Sequence, residues 1–393
     1  MSTMAREFII SLYLLMYKLL FNFFKLFPIK NKIVFVASFK DNNLYIYRKL
    51  NDKQFPGEVV FLCKESCFHS IKEKTSVPVY VIESGNFVHE LKAAYHLMTA
   101  KTIIVDNYYG FLSVAKFKKG VECIQIWHAA GAIKNFGLLD PTVEQRPKRA
   151  QKRIKKVYQN FHKVVVGSDV FADIFKKAFN VKEEQLLRFG YPRTDFFYNQ
   201  TAQEKKREQF YQKYPQFKNK KIILYAPTYR PNPEDNQLKL DIDQLYKSLK
   251  DEYVLFIRLH PSVSISEINY FVYQDFVFDF SNKASINDLI VVSDLLITDY
   301  SSIPFEYAIL EKPMIFYPYD LEKYQENPGI WAKYEDIVPG PVAFLTKDIL
   351  RYIKSNDFDY EKYRAFKEKW NKYSKGFSSE NMVHYLLKRH NME

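Results

Sequence analysis

The chain has 393 residues, 47% hydrophobic and 26% charged. That is globular composition, long enough for two or three domains, and it excludes a disordered chain. Lys and Arg number 58 against 45 Asp and Glu, a net +13 that favours anionic partners, and none of the 11 glycines lies in a G-x-G, so a glycine-rich dinucleotide fingerprint and a Walker A loop are excluded.

Any bound phosphate must then be held by helix N-termini, hydroxyls and basic side chains. The three cysteines, Cys63, Cys67 and Cys123, are an odd number without a zinc-ligand pattern. They read as free thiols of a reducing compartment.

In chain order, the first element is residues 1–30. Residues 8–27 are apolar enough to suggest a spanning helix, but Lys18 and Lys25 interrupt them. On a helical wheel Glu7, Ser11, Lys18, Asn22 and Lys25 form one narrow polar stripe. This predicts an amphipathic helix lying in a membrane interface. A helix packed on the protein's own surface and a spanning helix are the alternatives. A signal peptide is disfavoured, because Pro28 and Lys30 follow where small residues would be needed.

A first set of short apolar strands follows, at 32–38, 58–63, 77–82, 102–106, 122–127 and 163–167, with helical stretches such as 86–100 and 170–179 between them. A basic helical run holds Arg146, Lys148, Arg149, Lys152, Arg153, Lys155 and Lys156. It reads as a solvated face or as a surface for anionic lipid headgroups, at ~1 kcal/mol per basic residue. The membrane-facing basic set is thus Lys18, Lys25, Arg149, Lys152, Arg153 and Lys156. Nucleic acid is not expected, since no helix-turn-helix, zinc-finger or RNP pattern accompanies the basic run.

A polar stretch at 199–220 reads as the domain junction, and a second strand set follows at 221–225, 253–259, 276–279, 295–298 and 314–317. Strands alternating with helices predict parallel sheets in two doubly wound α/β domains, 31–205 and 206–360, facing a cleft. Helices over 361–393 are expected to return to the first domain. An oligomer is left open.

In such sheets ligands bind beyond the carboxyl ends of the strands. One strand ends at His128, followed by Ala129, Ala130 and Gly131, whose small size allows a ligand close to the backbone, and by Lys134. Others end in Thr228 and Arg230, in Arg258 and His260, and in Asp299 followed by Ser301, Ser302, Pro304 and Glu306. Ser301 and Ser302 fall where a helix starts, which makes either an anion site or an ordinary cap. Glu306 is placed to accept from a ribose diol, or is simply a first-turn acid. A histidine takes a proton from an attacking hydroxyl near neutral pH, and Arg230 with the second histidine offsets diphosphate charge. The set points to transfer from a nucleotide diphosphate donor to a hydroxyl. The D-x-D pairs Asp241/Asp243 and Asp357/Asp359 read as helix caps. No H-E-x-x-H occurs, so no metal and no cofactor are expected.

These residues, in this order, resemble the CDP-glycerol glycerophosphotransferase family of wall teichoic acid synthesis. The resembling segments are Asp106–Tyr109, Gln125–Lys134 with Gly137, Gly190–Asp195, Tyr225–Arg230, Arg258–Pro261, and Thr298–Glu306 with Lys312–Tyr317. The resemblance implies a GT-B-like fold and transfer of glycerol phosphate from CDP-glycerol to an undecaprenyl-diphosphate-linked acceptor, releasing CMP. It makes His128 the general base, and has Arg230, His260, Ser301 and Ser302 hold the donor diphosphate while Glu306 binds its ribose. Thr228, Asp299, Arg258, Lys134, Arg193 and Asp195 complete the expected site. The short chain, and the absence of the polymerase type's Gly-Thr-Pro after His128, resemble the primase branch, which acts on a ManNAc-GlcNAc lipid. That places the protein peripherally at the cytoplasmic face of the membrane. The alternatives are a glycerol phosphate polymerase, a transferase of ribitol phosphate or another nucleotide donor, and a non-enzymatic membrane scaffold.

Overall fold

A computed structural model describes residues 3–230, 232, 238–259 and 272–392. The chain divides into two compact units. The first comprises Met1–Ala129, Phe136–Asp195 and Lys372–Glu393, and the second Ala130–Asn135 and Phe196–Asn371.

The first unit is built on seven strands: β1 (Lys30–Ala37), β2 (Glu58–Cys63), β3 (Val79–Val81), β4 (Ala100–Val105), β5 (Glu122–Gln125), β6 (Lys163–Val165) and β7 (Leu186–Leu187). They run parallel in the order β3-β2-β1-β4-β5-β6-β7. β1 from Ile33 and β4 from Ile103 run as unbroken apolar stretches because both faces of a parallel sheet are covered. The order reverses between β1 and β4, which makes their carboxyl ends a crevice. The last helix, Ser378–Arg389, buries Met382, Val383, Leu386 and Leu387 in the core formed with β1 and β2.

The second unit holds β8 (Lys221–Ala226), β9 (Tyr253–Ile257), β10 (Val277–Asp279), β11 (Leu295–Thr298) and β12 (Met314–Phe316). Among the described residues these form a parallel sheet ordered β10-β9-β8-β11-β12, which reverses between β8 and β11. Each unit is thus Rossmann-like, and the fold is α/β and GT-B-like.

Several boundaries differ from the sequence reading. The junction falls at Asp195/Phe196, and the polar stretch after it is the helix Gln200–Lys213, polar because only Phe210 is buried. The C-terminal helices are shared: Tyr360–Trp370 lies in the second unit, where Trp370 packs on Phe305 at 4.5 Å, and only the final helix joins the first.

The N-terminal helix, Thr3–Phe24, combines two of the expected behaviours. Tyr17, Phe21 and Phe24 are buried against the first unit, with Tyr17 stacked on Phe111 at 5.2 Å. The opposite face exposes Phe8, Leu12, Leu15, Leu19 and Phe23, each by half or more, beside Lys18 and Lys25. By length and hydropathy it is long enough to cross a bilayer. One expected lipid contact is corrected. Arg153 grips Glu7 of this helix with two hydrogen bonds of 3.0 Å, so its guanidinium is committed within the protein. Arg149, Lys152 and Lys156 on the helix Lys148–Tyr158 remain exposed.

Candidate active site

His128 follows β5 in the first unit, and its position is set by the turn before it. Trp127 has φ of 52°, a left-handed backbone that an aromatic residue adopts only when its surroundings enforce it. They do so through side chains. Gln125 Oε1 accepts from Trp127 N–H at 2.8 Å, Asn42 Nδ2 donates to the Trp127 carbonyl at 2.9 Å, and Arg193 donates to the His128 carbonyl at 3.0 Å. Arg193 is held in turn, its backbone N–H donating to Asn42 Oδ1 at 2.9 Å and its side chain lying 3.8 Å from Asp41.

The imidazole sits between Trp127, at 4.3 Å, and Phe39, at 4.5 Å. Its Nδ1 is 3.0 Å from the backbone carbonyl of Asp106. A carbonyl only accepts, so Nδ1 carries the hydrogen and the neutral ring's lone pair is on Nε2. That arrangement suits proton abstraction from a hydroxyl.

The Asp106 carboxylate has another task. It accepts from Ser38 N–H and Phe39 N–H at 2.9 Å, and from Asn43 Nδ2 and Tyr109 OH at 2.8 Å. Burial pushes its carboxyl up to about 6, against the pull of those donors.

The Gly190–Asp195 motif turns out to serve the fold at most positions. Gly190 has φ of 79°, and a Cβ there would meet the backbone of Tyr373 at 2.5 Å. Asp195 is corrected from a substrate ligand to a cap: its two oxygens accept from Ser378 N–H at 2.9 Å and Ser379 N–H at 2.8 Å, at the start of the last helix. Of this motif, Arg193 touches the His128 backbone.

In the second unit Arg230 is buried, 4% exposed, and four of its five N–H donors go to the protein groups that follow. Nε donates to Asp320 at 2.8 Å, NH2 to Asp299 at 2.8 Å and Asp320 at 3.0 Å, and NH1 to the Thr228 carbonyl at 2.5 Å. Tyr300, Tyr319 and Tyr324 surround the guanidinium at 5.1–5.3 Å. This corrects the expectation that Arg230 holds a diphosphate, since a phosphate would have to displace two carboxylates. Asp299 also accepts from Thr228 N–H at 2.8 Å and Tyr300 N–H at 2.6 Å, so its carboxylate organises the loop after β8. Burial pushes that carboxyl up while Arg230 pulls it down. The Thr228 hydroxyl is buried beside the Asp299 carboxylate, whose charged form it favours.

Arg258 turns one nitrogen onto the backbone. Its NH1 donates to the carbonyls of Phe280, Ser281 and Ala284, a clamp on the segment after β10. Ser301 and Ser302 are half-buried beyond β11, before the short helix Ile303–Tyr307 with Pro304 in its first turn. Ser301 Oγ accepts from Ile303 N–H at 3.2 Å. Glu306 is buried, 3% exposed. His260 lies outside the described residues.

The segment after His128 belongs to the second unit. Trp331 Nε1 donates to the Ala132 carbonyl at 2.6 Å, Asn135 N–H donates to the Gly329 carbonyl at 3.0 Å, and Lys134 forms a β-bridge with Ile330 while its side chain is exposed. Gly131 is small for packing, not for ligand approach: a Cβ there would lie 2.4 Å from the Phe305 ring. The D-x-D residues Asp241 and Asp359 accept from Gln244 N–H and Lys362 N–H, capping helices. Sequence reasoning missed Phe39, Asn42 and Asp320, and gave Trp127 and Tyr109 no role beyond their place in the resembling segments. Phe39 had one signal, an aromatic within the polar run at the end of β1.

The family model described as CDP-Glycerol:Poly(glycerophosphate) glycerophosphotransferase matches residues 19–388. The chain is 38% identical over 358 residues to the teichoic acid glycerol-phosphate primase of Bacillus subtilis (strain 168), covering 91% of this chain and 92% of that protein. It is 33% identical over 392 residues to the teichoic acid poly(ribitol-phosphate) polymerase of Bacillus spizizenii, covering 98% of this chain and 60% of that protein. The solved structure of the wall teichoic acid polymerase TagF superposes with a TM-score of 0.77 at 24% identity, covering 98% of both chains, a likeness of fold.

Proposed function

The chain belongs to the CDP-glycerol:poly(glycerophosphate) glycerophosphotransferase family and is a transferase, and from that premise we propose that it is the primase. It transfers one glycerol phosphate from CDP-glycerol to the ManNAc hydroxyl of an undecaprenyl-diphosphate-linked ManNAc-GlcNAc. The identities favour this branch: 38% to the Bacillus subtilis glycerol-phosphate primase against 33% to the ribitol-phosphate polymerase.

The observation that carries the mechanism is the fixed tautomer of His128. Nε2 takes the proton of the acceptor hydroxyl as its oxygen attacks the phosphorus that bears glycerol. The bond from that phosphorus to the bridging oxygen breaks, and CMP leaves with the electron pair. General-base catalysis of this kind contributes roughly 10²–10⁴-fold. Ser301, Ser302 and His260 are assigned to the donor's diphosphate and Glu306 to the ribose, with Thr228 and Lys134 as further substrate-binding residues. Arg230 and Asp299 act at one remove, by holding the loop that carries Thr228.

The N-terminal helix supports a peripheral position on the membrane's cytoplasmic face. Its inner face is bound to the protein, and its outer apolar face lies beside Lys18 and Lys25. A lipid diphosphate acceptor keeps its tail in the bilayer while its sugar reacts.

The test is CMP release from CDP-glycerol with and without the lipid-linked disaccharide, with the product sized by mass spectrometry. One added glycerol phosphate is expected, and His128→Ala should lose turnover by about 10³-fold while keeping its circular dichroism. A ladder of additions would move the protein to the polymerase branch. Undiminished turnover in the variant would remove His128 from the mechanism.

A further inference from the structure

β5 ends on a polar residue that packing alone does not call for. Gln125 is fully buried, opposite Val105 of β4 and Val164 of β6. An amide buried among apolar strand residues is costly unless its polar atoms are bonded, and here both ends are. Oε1 accepts from Trp127 N–H at 2.8 Å, and Nε2 donates to the Asn107 carbonyl at 3.1 Å. Both partners are backbone groups, so the amide has one orientation, since a flip would set oxygen against oxygen.

The two segments joined in this way carry the imidazole and its acceptor. At the end of the β4–β5 ladder, Ile126 N–H donates to the Val105 carbonyl at 2.8 Å. Past that bond, β4 runs on into Asp106 and Asn107, and β5 into Trp127 and His128. Gln125 spans the two, with one end on the residue after Asp106 and the other on the residue before His128. The contact of 3.0 Å between His128 Nδ1 and the Asp106 carbonyl lies between those anchors. Each segment is also held from its far side. Ser38 and Phe39 N–H groups bind the Asp106 carboxylate, and Asn42 binds the Trp127 carbonyl. We infer that Gln125 is a positioning residue for the transfer: its amide sets the separation of the Asp106 carbonyl from the His128 ring, and so selects the tautomer that leaves the lone pair on Nε2. This rests on the reading of His128 as the base.

The experiment uses the full chain with two variants. Gln125→Met removes both bonds at nearly constant length, and Gln125→Asn keeps the amide but shortens it by one methylene, so that it cannot span both partners. ¹⁵N spectra of histidine-labelled protein, taken without substrate, should show His128 of the parent mainly as the Nδ1–H tautomer. In both variants the ratio of Nδ1–H to Nε2–H should fall about fivefold, the worth of one net hydrogen bond. The kcat should fall about 10²-fold, as a misplaced catalytic group requires, while the CDP-glycerol KM moves less than twofold. A tautomer ratio within twofold of the parent overturns the assignment even where turnover falls, because Gln125 would then serve the fold alone. Failure of both variants to fold, read by circular dichroism, overturns it for the same reason. A changed ratio with undiminished kcat keeps Gln125 as the tie and removes His128 as the base. If the parent releases no CMP, the transfer reading fails by itself, and the tautomer ratio still decides the role of Gln125.

Discussion

The two units use one device at their crevices and load it differently. In the first, β4 leads into Asp106, and in the second, β11 leads into Asp299. Each aspartate neighbours the first strand of its sheet, each is 1% exposed, and each reaches across to the backbone N–H groups of the loop after that strand. Asp106 holds Ser38 and Phe39, and Asp299 holds Thr228. The remaining partners differ. Asp106 is completed by neutral donors, Asn43 and Tyr109, whereas Asp299 faces the guanidinium of Arg230, which Asp320 shares. A neutral clamp leaves no fixed counter-charge beside the His128 imidazole. An ionic clamp consumes the cation that a sequence reader would assign to phosphate.

The comparison breaks first at Arg230. Arg230→Met keeps an aliphatic stem among the tyrosines but leaves Asp299 and Asp320 without their counter-charge. Loss of one partner from a buried pair costs about 3–5 kcal/mol, so urea unfolding should show a loss of that size. A loss below about 1 kcal/mol would mean that the second clamp is no more ionic than the first.

The next largest effect belongs to Asp106 and is read by pH. Its carboxyl is pushed up to about 6 in the fold, against a usual 3.8. The folded state therefore binds the proton more tightly than the unfolded chain does. The stabilisation is fully present below about pH 4, fades as pH rises to about 6, and is absent above that. At ~1.4 kcal/mol per pH unit the whole effect is about 3 kcal/mol. The ¹³C carboxyl resonance of Asp106 should titrate with a midpoint near 6. A midpoint near the usual 3.8 would show that its donors outweigh burial.

Much of this architecture was legible in the residues because parallel strands buried on both faces are short apolar runs with few imitators. The strand ends at His128, Arg230 and Asp299 followed directly. What the sequence hid was partnership. Asp320 meets Arg230 from 90 positions away, and Asp195 meets Ser378 from 183 away, pairings that no local spacing encodes. The group that orients His128 is a backbone carbonyl, which every residue carries, so no side-chain motif marks it. The N-terminal helix kept more than one reading open for a related reason. Both of its apolar faces look alike in sequence, and only packing shows that one is already taken by Tyr17, Phe21 and Phe24.

The smallest effect sharpens the contrast most. Tyr109 is fully buried, and its hydroxyl lies 2.8 Å from Asp106 Oδ1, 2.9 Å from Ser38 Oγ and 3.1 Å from the Val36 carbonyl. Tyr109→Phe removes that hydroxyl and changes little in shape. Asp106 keeps three donors, from Ser38, Phe39 and Asn43, so the carboxylate is not orphaned and the cost is that of one net hydrogen bond, about 1 kcal/mol. The lost donor had favoured the charged carboxylate, so the Asp106 midpoint should rise further in the variant. Thermal unfolding and the ¹³C titration together test this. A loss above about 3 kcal/mol, with the midpoint unmoved, would mean that the Tyr109 hydroxyl bears the load that Arg230 bears in the second unit. The neutral clamp would then fail as abruptly as the ionic one.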